Sequence, residues 1–312
     1  ALVGWLRDYN RARPSHERVS FHGFDGQTEN TTAPSPRRYL EHARDYLGLD
    51  VDVAGLAGDD ERWDREEAIL DPARSVGATA DAERLRVIAV EMLDVLHARA
   101  GELVASSSRA DWFRARTYLT AGLGLLRYHK EAARSVGQLE ATTMELAARD
   151  PRQIGRMTRL LAVRGGLMAQ NLLDIREIEA GRGATLVGSH NVHLQRNPST
   201  LPVANRAVTW VGAGAIVGAL WGERYAFVAA SVGRSDILGL GDPAPDTYEG
   251  LCQRRVGDWG VVAADLVGEA DIRGDADAVW AYNPLEPAVV DGAEAILHIG
   301  DAEAIRTKHA AS

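Results

Sequence analysis

The chain of 312 residues holds a single cysteine, Cys252. A disulfide framework and a cysteine zinc site are therefore excluded within it, and Cys252 reads as a small core hydrophobe. No apolar stretch approaches the roughly 18 residues that a membrane-spanning helix needs, so no membrane partner is expected. A basic footprint is missing too. The formal net charge is −9 and the pI about 5.5, which speaks against nucleic acid. Ala1 to Asp8 carry no basic region followed by an apolar segment, so no signal peptide is seen and a cytoplasmic location is expected. There is no initiator Met. The chain opens inside an apparent amphipathic helix, and the expectation is that an N-terminal segment has been removed or left out. No Gly-x-Ser-x-Gly elbow exists, and Ser189 merely adjoins His190 on a turn. A hydrolase built on this sequence would activate water with a general base rather than form an acyl-enzyme. Oligomeric state is not legible.

What is present is a 46% apolar composition, enough for a substantial core. Residues 1–13 read as a helix, and Val19 to Asp25 as a strand closed by Gly26. A helix is expected to start near Pro36, which suits a first helical turn. Leu85, Ile88, Ala89, Met92, Leu93 and Leu96 recur at three- and four-residue steps, one apolar face of a helix over 82–105. Further helical blocks are expected over 110–148 and from Asp150 to Ala180. Ala184 to Val187, Tyr225 to Val232 and Ala295 to Ile299 read as strands. Helix-rich stretches between strands favour crossovers. The expected fold is α/β: a mostly parallel sheet flanked by helices, with a helical insertion subdomain over about 57–150, in a single domain spanning 1–312.

The most informative stretch is Val187 to Gln195. A short apolar run ends in a Gly-Ser turn, and His190 and His193 follow. In open α/β sheets function gathers past the carboxyl ends of strands, and imidazole changes charge near neutral pH. One ring could move a proton while the other bonds a substrate oxygen, with Asn191 orienting a ring or turning the backbone. The plain alternative is a capped turn with one ring exposed and one packed. A metal reading lacks a third ligand nearby, so no metal is expected.

His22 and Asp25 lie at another expected strand end, where Asp25 could orient an imidazole or hold a substrate hydroxyl. The alternative is an Asx turn onto the backbone at Gln27. Arg164, Met168 and Asn171 share a helix face. There Arg164 could bind a carboxylate and Asn171 reach a backbone group, or the face is a polar stripe with Met168 in the core. Gly212, Gly214 and Gly218 form a variant of the dinucleotide fingerprint, better explained by close packing of a small-residue helix. No cofactor is expected.

These elements, in order, resemble the erythromycin esterase family. Gly4 to Asn10 resembles the helix that precedes a strand ending in Gly-x-Asp, here Val19 to Asp25. Arg164 to Asn171 resembles the family's "R-D-x-x-M-A-x-N" helix, with Gly165 where an acidic residue is common. Ser189 to His193 resembles its "H-N-x-H" element, and Tyr282 to Pro287 with Asp291 to Ile299 its closing segment. The resemblance implies metal-independent hydrolysis of a macrolactone or similar bulky ester, the small-molecule partner, by water activated by a general-base histidine. It also implies that this histidine comes from a region upstream. No Glu-x-x-His element stands before Trp5, and Glu29 and His42 lack the spacing, so an N-terminally incomplete relative is expected. His190 and His193 carry over as proton-handling or oxyanion contacts, and macrolide resistance follows from kinship alone. Two other readings stay open: a non-catalytic binding protein for a hydrophobic metabolite, and a nicotinamide-dependent enzyme using the glycines of 212–218.

Overall fold

A computed structural model describes residues 2–26, 28, 31–134, 151–203, 206–276 and 282–304. The chain divides into two compact units, Ala1–Val187 and Gly188–Ser312.

The first unit is helical. Its elements are α1 (Leu2–Arg11), α2 (Arg37–Leu47), α3 (Val53–Ala57), α4 (Glu61–Asp64), α5 (Glu66–Leu70), α6 (Ala80–Ala98), α7 (Ala100–Ser106), α8 (Arg109–Ala132) and α9 (Pro151–Ile178). Local chemistry sets the boundaries. The Thr79 hydroxyl accepts from the Ala82 N–H at 3.2 Å and opens α6. Ser108 does the same for α8, accepting from the Asp111 N–H at 3.1 Å. Gly48, at φ 65°, closes α2 in the left-handed conformation that glycine adopts without steric cost. The expected stripe on α6 is real: Leu85, Ala89, Met92 and Leu96 are buried against Leu40, Leu119 and Leu126, with Ile88 and Leu93 partly buried beside them. Gly122 lets α8 close on α2, because a Cβ there would sit 2.8 Å from Leu40 Cδ2. Helix 82–105 is broken at Arg99 into α6 and α7. Of the blocks 110–148 and 150–180, residues 135–150 lie outside the described residues.

Two expected strands do not form. Val19 to Asp25 and Ala184 to Val187 have no ladder partner among the described residues. Alternation and β-branching mark a stretch that can join a sheet, but a strand exists only where a neighbour supplies the other half of its hydrogen bonds. Val19 is instead pinned by one side chain: Asn10 Nδ2 donates to its carbonyl at 2.8 Å, and its N–H donates to Asn10 Oδ1 at 2.9 Å. Among the described residues no strand precedes the helices of 57–134. Helix is the only regular structure among the described residues of the first unit.

The second unit runs α10 (Asn191–Leu194), β1 (Ser199–Val203), β2 (Arg206–Trp210), α11 (Ala213–Trp221), β3 (Val228–Arg234), α12 (Tyr248–Gln253), β4 (Trp259–Ala263), α13 (Pro287–Asp291) and β5 (Ala295–Asp301). β1 and β2 form an antiparallel hairpin. The main sheet has the order β3-β5-β4. β3 pairs parallel with β5, and β4 antiparallel with it. The expected mostly parallel sheet is thus a mixed one. The strand expected over Ala295 to Ile299 forms as β5 and lies at the centre of this sheet. β4 is an edge, with Trp259 and Val261 exposed, and an antiparallel edge strand on an otherwise parallel pair is common in α/β sheets.

Candidate functional site

In the second unit the turn around His190 is fastened from several sides. Asn191 acts like a short piece of strand. Its Nδ2 donates to the Ala230 carbonyl at 2.8 Å and its Oδ1 accepts from the Ala230 N–H at 2.9 Å, which ties the turn to β3. Ser199 Oγ donates to the Val192 carbonyl and the Tyr225 hydroxyl to the Leu194 carbonyl. Arg196 bonds the Tyr225 carbonyl and pairs with Glu294 at 2.7 Å. α11 then packs so closely that a Cβ on Gly214 would lie 1.9 Å from the Leu194 oxygen, and one on Gly212 2.9 Å from the Val192 oxygen. That contact accounts for Gly212 and Gly214 without a dinucleotide.

The His190 ring caps α10. Its Nδ1 lies 3.3 Å from the Val192 N–H and accepts from it. An accepting Nδ1 leaves the proton of the neutral ring on Nε2. The surrounding chain desolvates the ring and lowers its pKa from the ordinary 6.5, so the neutral form dominates at pH 7, even though the residue keeps exposed surface. His190 therefore offers an Nε2–H donor. His193 is half-buried, and its N–H closes the turn onto the His190 carbonyl at 3.0 Å.

The other candidates assemble within the first unit. Arg164 grips Asp25 through three contacts, Nε to Oδ1 at 3.2 Å, Nη2 to Oδ1 at 3.1 Å and Nη2 to Oδ2 at 2.9 Å. Asn171 Nδ2 donates to the Phe24 carbonyl at 2.9 Å. Met168, between them on α9, is buried, as the plain reading expected. Arg164 does meet a carboxylate and Asn171 a backbone group, but both belong to the chain, so these side chains hold the 21–26 segment in place. His22 Nε2 bonds Glu179 Oε1 at 2.7 Å. Burial raises the Glu179 pKa, but the bonds from His22 and Ser20 and the charge of Arg182 outweigh it and hold the carboxyl below its ordinary value. His22, Asp25 and Asn171 all line one cavity of about 250 Å³ between α8, α9 and residues 21–26. Gln27, where an Asx turn would close, lies outside the described residues.

Three features escaped the sequence reading. Glu179 gave no signal apart from its place near a helix end. Tyr225 sat inside an expected strand, although it precedes β3 and buttresses the turn. Ser231, His298 and Gln253 form a buried chain: Ser231 Oγ lies 2.8 Å from His298 Nδ1, and His298 Nε2 2.8 Å from Gln253 Oε1. It resembles a nucleophile–base pair, yet Ser231 and His298 are 1% and 0% exposed, so no substrate reaches them. Burial drives the His298 pKa down to about 4, and the neutral ring locks β3, β5 and α12 together. Cys252 is buried and its thiol pushed up to about 11 by desolvation, as fits a core hydrophobe. Among the described residues no group of three or more His, Cys, Asp and Glu could hold a metal, and no helix is long and apolar enough to cross a membrane.

A solved structure, a mutant of erythromycin esterase EreC in its open conformation, is similar with a TM-score of 0.57 at 17% identity, over 96% of this chain and 72% of that one. At that identity the likeness is one of fold. No curated protein matches the chain. The sequence model of the family described as erythromycin esterase matches residues 1–289. With that match covering nearly all of its 312 residues, the chain belongs to the erythromycin esterase family.

Proposed function

We propose that this protein hydrolyses a carboxylic ester by attack of water, with a macrolactone or a similarly bulky ester as substrate, and that His190 and His193 carry the chemistry in the second unit. The observation that carries the reading is the state of His190. A neutral ring with its proton on Nε2, on a turn fixed by Asn191, Ser199 and Tyr225, is a preorganised donor for the oxyanion that forms as water adds to the ester carbonyl. A donor already in place needs no reorganisation when charge develops. We assign activation of the water to a general-base histidine, which the resemblance puts upstream of Trp5, and further proton handling or a substrate contact to His193. Family membership and fold support the ester as the bond broken.

The test is hydrolysis of erythromycin-type macrolactones and of simple nitrophenyl esters by the intact protein. Replacing His190 by Ala is expected to lower kcat by about 10²–10³-fold, the effect of removing one oxyanion donor. Hydrolysis at full rate in a His190→Ala, His193→Ala double variant would remove both from the mechanism. Tight binding of the ester without turnover would replace this reading with capture of a hydrophobic metabolite.

A further inference from the structure

The cavity in the first unit is lined by side chains whose donors are already in use. His22 Nε2 donates to Glu179 at 2.7 Å, Thr117 Oγ1 to the Phe113 carbonyl at 2.9 Å, Gln170 Nε2 to Asp174 Oδ1 at 3.2 Å, and Asn171 Nδ2 to the Phe24 carbonyl at 2.9 Å. The partner decides which end of each group donates. Carbonyl and ionised carboxylate oxygens only accept, so the amide nitrogens and the Nε2–H of His22 are committed to the chain. What remains is a set of acceptors: Nδ1 of His22, Oε1 of Gln170 and Oδ1 of Asn171. Asp174 adds another, because Gln170 and Arg116 both bond its Oδ1 and leave Oδ2. None of these four atoms has a hydrogen-bond partner among the described residues.

The acceptors gather at one end. Asn171, Asp174, Ile175 and Ile178 recur at three- and four-residue steps on one face of α9, so neighbours lie about 5–6 Å apart. The contact of Arg116 with Asp174 at 2.9 Å brings Thr117 to the same level, and the bonds of His22 and Asn171 lay residues 21–25 along the same stretch. Arg127 lines the far end, almost three turns of α8 from Thr117, about 15 Å away. Charge near the acceptors is paired: Asp25 with Arg164, Asp174 with Arg116, and Glu179 with His22 and Arg182. Ala121, Ile175 and Ile178 supply aliphatic surface beside them. A charge-paired, acceptor-lined end with an aliphatic floor matches a neutral ring that carries hydroxyl donors on its rim and C–H groups on its face. The volume of about 250 Å³ lies just below the roughly 300–1,000 Å³ of drug-sized sites, which limits the ligand to one ring.

We propose that this end of the cavity binds one neutral pyranose sugar. Its hydroxyls donate to His22 Nδ1, Asn171 Oδ1 and Asp174 Oδ2, and its C–H face rests on Ile175 and Ile178. No bond of the sugar is broken, and the binding does not rest on the ester-hydrolase reading.

Saturation-transfer NMR and calorimetric titration of the intact protein test the proposal with the methyl glycosides of glucose, galactose and mannose, each beside its fully O-methylated form. At least one glycoside is expected to bind, tenfold or more tightly than the methylated form, which has no donor and would leave the acceptors unpaired. Glucuronate should bind more weakly than that glycoside, since no unpaired cation awaits a carboxylate at this end. Asp174→Asn removes a charged acceptor and should weaken the glycoside about tenfold. His22→Phe keeps a ring but removes Nδ1, and should do the same. Glu102→Gln, the same kind of charge loss at a pair with Arg99, should change nothing. No binding by any of the three glycosides, equal affinity for free and methylated forms, tighter binding of glucuronate, or unchanged affinity in both site variants would overturn the assignment. Ester turnover on the same samples separates the two claims. Sugar binding that depends on Asp174 and His22, without turnover, supports the cavity and sinks the hydrolase reading, whereas turnover without sugar binding does the reverse.

Discussion

The two units fix their candidate residues by opposite means. In the first, the segment carrying His22 and Asp25 joins no sheet among the described residues and is held mainly by charged groups, Asp25 on Arg164, His22 on Glu179, and Arg182 on Ser20 and the Arg18 carbonyl, with the neutral Asn171 bond to the Phe24 carbonyl beside them. In the second, the turn carrying His190 is held mainly by neutral hydrogen bonds to backbone groups and by glycine-mediated contact with α11, with a single ion pair, Arg196 on Glu294, behind it. Exposed charge pairs are weak, salt-screened and tolerant of movement. Neutral bonds backed by close packing are more rigid. The difference suits different tasks. For the role proposed for His190, a donor to a developing oxyanion, a fixed turn is the fitting one.

The largest expected effect breaks the rigid side. His190→Ala should cost about 10²–10³-fold in kcat with little change in KM, because a donor used only in the transition state adds nothing to ground-state binding. A drop confined to KM would place His190 in substrate binding instead. Next in size is the response of the buried rings to pH. Each unit holds one, His129 and His298, and burial lowers both to about 4. For a ring near 6.5 when unfolded and about 4 when folded, the unfolded chain takes up the proton first. Stability is then full above pH 6.5, falls as pH drops towards 4, and is flat below that. The span is of order 3 kcal/mol for each ring. Imidazole signals followed by NMR should titrate near 4 for both residues, and midpoints near 6.5 would show that the rings are not sealed from water. The two rings also sharpen the comparison. His298 has both nitrogens bonded, while Nδ1 of His129 has no partner. His298→Gln should therefore disturb more bonds than the same change at His129.

Much of this was legible in the sequence, and the failures have a common cause. The α6 stripe from Leu85 to Leu96 could be read because helix hydrogen bonds close within the segment, so local periodicity decides the outcome. Val19 to Asp25 and Ala184 to Val187 could not, since their fate depends on a partner strand elsewhere. β5 was found because a short apolar run before Gly300 reads as a strand, but its central place and the direction of its neighbour β4 are set by the connections and leave no mark in either strand. At the site, His190, Asn191 and His193 stood out as residue types, and Asn191 does hold the turn. Glu179 and Tyr225 were invisible because their roles come from contacts 157 and 31 residues away along the chain.

Gly214→Ala tests whether packing aims the turn. The added methyl would lie 1.9 Å from the Leu194 oxygen, so α11 or the turn must shift, at about 1–3 kcal/mol. Activity should fall together with stability, and a variant at wild-type stability and rate would mean that α11 does not set the position of His190. The corresponding change on the charged side is the smallest. Asp25→Asn keeps the shape but removes the charge that Arg164 grips. The Asp25 side chain is 52% exposed, so solvent already screens the pair and the expected loss is about 0.5–1 kcal/mol. The effect should be local, with faster hydrogen exchange at Phe21 to Gly26 and an almost unchanged melting temperature. Raising salt towards 1 M, where the screening length falls to about 3 Å, should reproduce that exchange pattern in the unmodified protein and leave the amides of Asn191 to Leu194 unaltered. If those amides loosen equally, or if Phe21 to Gly26 ignores both treatments, charge is not what distinguishes the two regions. The Asn171 bond to the Phe24 carbonyl would then be the contact that holds the segment.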